Sequence, residues 1–374
     1  MGLYEELGVK RLINAWGPMT IIGGSRMRPE VLAAMVEASP TFVDLLELQA
    51  KAGQRIADLI GVEACYIAGG CAAGLAVATA ACVAGTDRAR VARLPDTTGM
   101  KHEVVIPRAH RNGYDAAFRQ VGVRLVEIGH ARGSQDWELE AAIGPNTAAV
   151  AHVYARWTFD LPLSLAETVR IAHARGVPVI VDGAAEVPPF RNLRGLSESG
   201  ADLVVISGGK GIMGPQNTGL VLGGRELIAA CTANASPNHS LGRSMKVSKE
   251  EMVGILKAVE LYVRQDHPAV ERRWHQQVET VMRALGDVRG VRVLKDEATY
   301  SEGIPVAKVF VDPKEAGRSA AEVAAALMEG DPGVRVNQAS DWLSVNPQFL
   351  EPGEERVVAE RLRAALCARE PALA

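Results

Sequence analysis

The sequence predicts an α/β protein with a mostly parallel, seven-stranded sheet, helices on both of its faces, and a smaller α+β domain. Between about residues 49 and 245, short β-branched runs alternate with longer alanine-rich stretches, which is typical of a parallel sheet covered by helices. After Met245 the pattern changes to two long helices and separate strands. In the first region an aspartate and a lysine follow apolar runs, at the carboxyl ends of strands, where such sheets bind ligands.

Residues 1–48 are predicted to form an N-terminal segment that lines the active site and packs on the small domain. Within it, Arg28-Pro29-Glu30 begins a helix at Met27–Ser39, because proline is tolerated in the first turn of a helix. A second helical region at Val43–Ile60 leads into the next domain.

Residues 49–247 are predicted to form the large domain. Its strands are expected at Ala64–Ile67, Glu103–Pro107, Arg124–Ile128, Ala148–Val153, Pro178–Val181, Leu203–Ser207 and Gly219–Leu222. Its helices are expected at Cys71–Ala84, Asn112–Val121, Ser164–Arg175 and Leu193–Gly200.

Residues 248–374 are predicted to form the small α+β domain. Helices are expected at Lys249–Asp266, Pro268–Leu285, Ser319–Glu329 and Glu354–Ala368, and strands at Val291–Leu294, Val306–Val311 and Val334–Val336.

The composition indicates an ordinary globular protein that acts on small molecules. Apolar residues make up 48% and charged residues 23% of the chain, and the formal net charge is -3, so no general field favours nucleic acid or membranes. The five cysteines are scattered and lack metal-ligand spacing, so neither a disulfide framework nor a metal site is indicated. Without a signal sequence or an apolar span, the sequence predicts a cytoplasmic location.

Two segments carry the chemistry. VDGAAE places Asp182 at the end of one apolar strand, and SGGKGIMGPQ places Lys210 among glycines after another. A lysine that condenses with an aldehyde and a carboxylate that keeps a pyridine nitrogen protonated are the two groups that pyridoxal 5'-phosphate (PLP) requires. Considered without the lysine, an aspartate at a strand end such as Asp182 is more often a helix cap or a structural hydrogen-bond acceptor.

A third segment, AGGCAAG, supplies a phosphate cradle. Its glycine turn lies between a strand and an alanine-rich helix, where Gly70, Cys71 and Ala72 present backbone N–H groups and the helix dipole favours an anion. Such turns recur in many α/β folds, so it is the ordered combination of turn, acid and lysine that predicts a PLP enzyme.

At these residues the chain resembles the fold-type-I PLP-dependent enzymes, and within them the selenocysteine synthase (L-seryl-tRNA selenium transferase)-like family, close to its short D-glucosaminate-6-phosphate ammonia-lyase-like members. Leu12–Thr20, Gly23–Val31, Phe42–Gln49, Ser207–Gly223 and Asn346–Glu355 also carry the resemblance, which therefore covers essentially the whole chain. Unlike selenocysteine synthase, the sequence begins directly at core-like residues and is mildly acidic, which makes transfer of selenium to seryl-tRNA the less favoured expectation.

The resemblance implies PLP as cofactor and assigns roles to individual residues. It implies that Lys210 forms the Schiff base, that Asp182 binds the pyridine nitrogen, that Ala184 packs on one ring face and that Ser207 binds the phosphate. His110 is expected to stack on the other face of the ring, with His102 and Arg111 as alternatives for that role. The structural alternative for His110 is an imidazole that caps a loop. Two protomers would share each site, with Gln216, Asn217 or Thr218 reaching the neighbour's phosphate, so a homodimer or larger homo-oligomer is expected.

The expected reaction is α,β-elimination on a small amino acid or amino-sugar acid, giving a 2-keto acid and ammonia. The alternative on the same scaffold is an amino-acid racemase or epimerase, and a PLP-retaining protein without turnover is a third, less favoured reading. A donor for the leaving group is sought among His110, His152 and Tyr154. The candidates for binding the substrate carboxylate are Arg26, Arg243 and Arg335, because a guanidinium can bind a carboxylate with two hydrogen bonds. The alternative for each is an ordinary surface charge, as for most arginines. Asn14, Thr20 and Ser25 are candidates for lining the entrance of the site.

Overall fold

The computed structural model describes residues 2–298 and 302–368. The strands are β1 (Leu12–Ala15), β2 (Ala64–Ala68), β3 (Glu103–Pro107), β4 (Arg124–Ile128), β5 (Thr147–Val153), β6 (Val179–Asp182), β7 (Leu203–Ser207), β8 (Gly219–Gly223), β9 (Val291–Glu297), β10 (Pro305–Val311), β11 (Gly333–Gln338) and β12 (Trp342–Val345). The helices are α1 (Leu3–Glu6), α2 (Pro29–Ala38), α3 (Leu45–Ile60), α4 (Cys71–Ala84), α5 (Arg88–Arg93), α6 (Ala116–Arg119), α7 (Asp136–Ala142), α8 (Leu165–Ala174), α9 (Asn192–Glu198), α10 (Arg225–Ala233), α11 (Lys249–Val263), α12 (His267–Leu285), α13 (Pro313–Ala316), α14 (Ala320–Glu329) and α15 (Glu354–Cys367).

The chain divides into two compact units. The larger unit is Arg26–Gln265, and the smaller one combines Met1–Ser25 with Asp266–Ala374. The boundaries expected from the sequence, at residues 48 and 247, differ from these limits. Helix α11 falls in the larger unit because it packs against α2 and α3. The last residues of the expected small domain, 369–374, lie outside the described residues.

The larger unit contains a seven-stranded sheet in the order β2-β8-β7-β6-β5-β3-β4. Strands β7, β6, β5, β3 and β4 are parallel, while β8 is antiparallel to both of its neighbours, β2 and β7. Because two antiparallel steps restore the direction, β2 runs parallel to β7. The fold class expected from the sequence is confirmed.

Helices cover both faces of this sheet. Helix α4 packs on one face together with α10 and α6, and α3, α8, α9 and α11 build the core on the other. Strand β6 is buried along its whole length, as its β-branched run predicts. Gly74 allows α4 to approach the sheet, because a Cβ there would lie 2.9 Å from Cγ1 of Val205.

The smaller unit contains a five-stranded sheet in the order β1-β11-β12-β10-β9. Strand β1 pairs in parallel with β11, and the other pairs are antiparallel. Helices α12, α14 and α15 pack on this sheet around a core of valine, leucine and alanine. No helix among the described residues is long and apolar enough to cross a membrane.

Candidate active site

The chemistry-bearing residues of the larger unit gather at one edge of its sheet. Strands β2, β3, β5, β6 and β7 run in the same direction, so their carboxyl ends lie along the same edge. His110 follows β3, Asp182 ends β6 and Lys210 follows β7, while the turn at Gly70 follows β2. This is the edge at which parallel sheets bind ligands.

The carboxylate of Asp182 is buried with one hydrogen-bond donor. Its exposure is 8%, and the backbone N–H of Ala184 donates to Oδ1 at 3.1 Å. Burial raises the pKa of Asp182, while the Ala184 N–H and the charge of Lys210 act in the opposite direction. Since Asp182 has no further side-chain hydrogen bond among the described residues, its carboxylate retains the capacity to accept one from a cationic N–H group.

Lys210 belongs to a loop that closes on itself. The N–H of Gly208 donates to the carbonyl of Thr218 at 2.9 Å, and the N–H of Gly214 donates to the carbonyl of Gly208 at 2.8 Å. A Cβ at Gly209 would lie 2.4 Å from the Cα of Gln216, so only glycine permits this approach. The loop therefore fixes the backbone from which the Lys210 side chain extends.

The N-terminus of α4 is an uncapped helix end. Gly70 has φ 94°, it provides no side-chain cap, and the first turn contains no acidic residue. Helix geometry leaves the N–H groups of Cys71, Ala72 and Ala73 without intrahelical acceptors. Gly219 faces this turn closely, because a Cβ there would lie 2.7 Å from the carbonyl carbon of Gly70. The turn presents free donors with a positive dipole end, which suits a phosphate dianion.

Cys71, the first residue of α4, shows that the phosphate-binding turn lies near Asp182 and Lys210. It lies close enough to Asp182, Lys210 and the side chain of Ser207 for all three to act on its pKa. The pKa of Cys71 is raised to about 12, because desolvation and then the charge of Asp182 raise it by more than Lys210 and Ser207 lower it. The thiol is therefore neutral, and these four side chains form one cluster with the end of α4.

His110 is buried near this cluster. Its exposure is 1%, and Nδ1 accepts a hydrogen bond at 3.2 Å from the N–H of Val153, the last residue of β5. Val153 pairs with Asp182 in the sheet. Of the two alternatives, His102 precedes β3 and therefore lies at the opposite edge, and Arg111 is held in ion pairs with Asp115 and Glu127.

The residues expected to reach a partner's phosphate have different surroundings. Gln216 and Asn217 are exposed, whereas Thr218 is fully buried and its hydroxyl donates to the carbonyl of Pro215 at 2.6 Å. Gln216 and Asn217 therefore fit that role better than Thr218, and a shared site stays a prediction.

The candidate substrate residues are divided between the two units. In the larger unit, Arg26 is exposed and Arg243 is partly buried in the loop after α10. In the smaller unit, Asn14 and Arg335 are paired across β1 and β11. The side chain of Asn14 accepts from the N–H groups of Trp16 and Gly17 at 3.0 Å each, so it organises its own turn.

Arg335 is held in a defined orientation. Its guanidinium carbon lies 4.8 Å from the ring centroid of Trp16. Its buried Nε has no hydrogen-bond partner among the described residues. A buried donor without an acceptor costs free energy, which an anionic ligand would recover.

The sequence did not indicate two features of this site. One is the contact between the buried rings of His110, which follows β3, and His152 on β5, for which the sequence has no local signal. The other is the close approach of Gly219 to Gly70, for which the only signal was a glycine at the start of a strand.

The arrangement fits PLP. Asp182 can accept a hydrogen bond from a pyridine N–H, the end of α4 and Ser207 can bind the phosphate, and Lys210 supplies an amine next to both. Each group matches the chemistry of one part of that cofactor.

Comparison with known proteins agrees with this geometry. Residues 12–273 match the family described as SelA: L-seryl-tRNA selenium transferase. The chain is 35% identical over 369 residues to a D-glucosaminate-6-phosphate ammonia lyase of Salmonella typhimurium, covering 96% of this chain and 97% of that relative. It is also 35% identical over 376 residues to a 5'-C-glycyluridine monooxygenase-decarboxylase of a Streptomyces species, covering 97% and 92%.

Comparison with solved structures again matches the chain to an ammonia lyase. A structure of D-glucosaminate-6-phosphate ammonia-lyase matches with a TM-score of 0.84 and 33% identity over 98% of both chains. An aspartate aminotransferase of Thermus thermophilus matches with a TM-score of 0.57 at 15% identity, covering 95% of this chain and 99% of that one, which shows the fold alone.

Proposed function

Since the chain belongs to the L-seryl-tRNA selenium transferase family, we propose that it is a PLP-dependent lyase that removes ammonia from an amino-sugar acid or a small amino acid. The substrate class follows the ammonia lyase of Salmonella typhimurium, with which it shares 35% identity along nearly the whole chain. The observation that carries the proposal is the cluster of Asp182, Lys210, Ser207 and the end of α4 at one sheet edge.

Asp182 and Lys210 have separate roles in the proposed reaction. PLP, when bound, supplies a cationic ring that withdraws electrons from the α-carbon of the substrate. Asp182 holds the proton on the pyridine nitrogen, and Nζ of Lys210 removes the proton from the α-carbon. Loss of the β-hydroxyl as water leaves an enamine, and addition of one water molecule to it gives the 2-keto acid and ammonia.

A second candidate function rests on a specific observation. The monooxygenase-decarboxylase of a Streptomyces species has the same 35% identity to this chain. That name describes a reaction that consumes dioxygen and releases carbon dioxide. We favour the lyase because an ammonia-lyase structure also matches 98% of the chain with a TM-score of 0.84.

The test is product analysis on the PLP-loaded enzyme with a panel of D- and L-amino acids and amino-sugar acids, including D-glucosaminate 6-phosphate. Equal amounts of 2-keto acid and ammonium, without dioxygen uptake, are the expected result. Dioxygen uptake with carbon dioxide release would replace the lyase by the second candidate. Loss of optical rotation without either product would identify a racemase or epimerase.

Among the three arginines, we propose Arg335 as the partner of the substrate carboxylate. Its guanidinium lies against Trp16, and its Nε has no acceptor among the described residues. Replacing Arg335 by lysine removes the bidentate geometry, so KM should rise about 10- to 100-fold with little change in cofactor binding. Steady-state kinetics of Arg26→Lys and Arg243→Lys serve as comparisons. If either of these raises KM more than Arg335→Lys does, the assignment is wrong.

We propose a homodimer or larger homo-oligomer, joined at an apolar surface of the larger unit. Val36 is 71% exposed and Phe42 is 98% exposed, and Leu32, Val43 and Leu46 continue this surface along α2 and the start of α3. Large exposed apolar side chains grouped in one stretch of the chain are typical of protein interfaces.

We also propose a cytoplasmic location, because free cysteines persist in a reducing compartment; cell fractionation tests it.

Replacing Phe42 by aspartate should separate the protomers. A buried charge without a partner opposes association, so sedimentation velocity should show a shift toward monomer. Trp137→Asp is the control, because Trp137 is 64% exposed and lies outside this surface. A Phe42→Asp variant that sediments like the wild-type oligomer would place the interface elsewhere.

A further inference from the structure

Two buried histidine rings meet at right angles at the candidate site. The ring centroids of His110 and His152 are 4.5 Å apart, with an interplanar angle of 89°. Their exposures are 1% and 4%. His110 follows β3, and His152 lies on β5, one residue before the Val153 that donates to His110. His110 therefore has a ring wall on one side and a backbone donor on another.

The hydrogen bonds fix the tautomer of each neutral ring. Nδ1 of His110 accepts from the Val153 N–H, so its hydrogen lies on Nε2. The hydroxyl of Thr168 donates to the carbonyl of Ser164 at 2.9 Å. Its oxygen therefore accepts from Nδ1–H of His152, at 3.2 Å, which leaves Nε2 of His152 without a hydrogen.

The support of His152 is rigid. Thr168 is fully buried on α8, and the N-terminus of that helix is closed by a capping box between Ser164 and Glu167. The ring of His152 is thus held by both β5 and α8.

We propose that His152 is a positioning residue: with Thr168 behind it, it holds the His110 ring in one orientation and in the neutral Nε2–H tautomer at the carboxyl edge of the sheet. This inference goes beyond the proposed function, because it assigns a role to His152 that does not depend on which substrate is used. It also has a mechanistic consequence: the neutral His110 ring has Nε2–H as its donor and does not act as an imidazolium acid.

The electrostatics agree with this geometry. Burial lowers the pKa of His110 to about 4. Burial, and then the proximity of His110, lower the pKa of His152 to about 3. Asp182, Lys210 and the ion pair of Arg111 with Asp115 are titratable groups on neighbouring elements, and none of these hydrogen-bonds to either ring among the described residues.

The experiment is nitrogen-15 NMR of apoenzyme with labelled histidine, together with the pH profile of kcat for the loaded enzyme. In the wild-type protein His110 should be the Nε2–H tautomer and stay neutral down to about pH 5. His152→Ala opens the wall to water, so the pKa of His110 should rise toward about 6.5 and its tautomers should mix. The kcat profile should then gain an ionisation near pH 6, and the double variant with His110→Phe should lack it.

Three further variants separate positioning from general packing. His152→Phe keeps a ring wall and should preserve most of the low His110 pKa, whereas Thr168→Val should shift it in the same direction as His152→Ala but less. His173→Gln is the control, because His173 lies on the same helix but is partly exposed and bonded to Asp202 at 2.9 Å. If the tautomer and pKa of His110 are unchanged in folded His152→Ala and in Thr168→Val, the proposal is overturned. The apoenzyme signals do not depend on turnover, so the outcome is independent of the reaction assigned above.

Discussion

Replacing Lys210 by alanine should remove the absorption band of lysine-bound PLP and reduce turnover about 10²- to 10⁴-fold or more. Lys210 lies in the loop closed by Gly208, Gly214 and Thr218, next to Asp182 and Cys71. The same nitrogen would bind the aldehyde and later take the α-proton, so one substitution removes both functions. The measurements are the absorption spectrum after addition of PLP and the rate of ammonium release.

Two controls make this result specific. Lys51→Ala should change neither measurement, because the Lys51 side chain is 76% exposed on α3 and pairs with Glu47. Added methylamine should restore part of the activity of Lys210→Ala, since a small amine can replace the missing base. A Lys210→Ala protein that keeps the absorption band would show that another amine binds the aldehyde.

Much of this site was predictable because its chemistry lies at strand ends. A run such as Pro178–Val181 identifies a buried strand, and in a parallel sheet the next residue, Asp182, must emerge at the ligand-binding edge. The same argument holds for Lys210 after β7 and for the glycine turn between β2 and α4. The predicted family, the α/β fold and the PLP-dependent lyase class are confirmed by comparison with known proteins.

The remainder depends on contacts between residues far apart in the chain. The N-terminal segment was expected to pack on the small domain, but the pairing of β1 with β11 that joins residues 1–25 to the C-terminal part was not, because no local pattern predicts it. Helices α5, α7 and α10 were not predicted, since each is short and lacks a strong apolar repeat. The tautomers of His110 and His152 likewise depend on Val153 and Thr168, respectively, which a sequence cannot place beside them.

Asp182→Asn should leave PLP bound but slow removal of the α-proton about 10²- to 10³-fold. The carboxylate is 8% exposed, and within the described part of the chain its one side-chain hydrogen bond comes from the Ala184 N–H. An amide has nearly the same shape and can still accept a hydrogen bond, but it lacks the negative charge that keeps a pyridine nitrogen protonated. Phosphate binding by α4 and the amine of Lys210 are unchanged, so cofactor affinity should fall far less than the rate.

The measurement for Asp182→Asn is exchange of the substrate α-proton in deuterated water, because exchange reports this step even when elimination is limited elsewhere. Asp58→Asn is the matched control, since Asp58 is exposed on α3 and accepts a hydrogen bond from Gln54 at 2.9 Å. Wild-type exchange in a PLP-loaded Asp182→Asn protein would mean that the ring does not depend on this carboxylate. Slow exchange together with a normal absorption band is the combination that only an electronic role for Asp182 produces, because a loss of folding or of cofactor binding would remove the band as well.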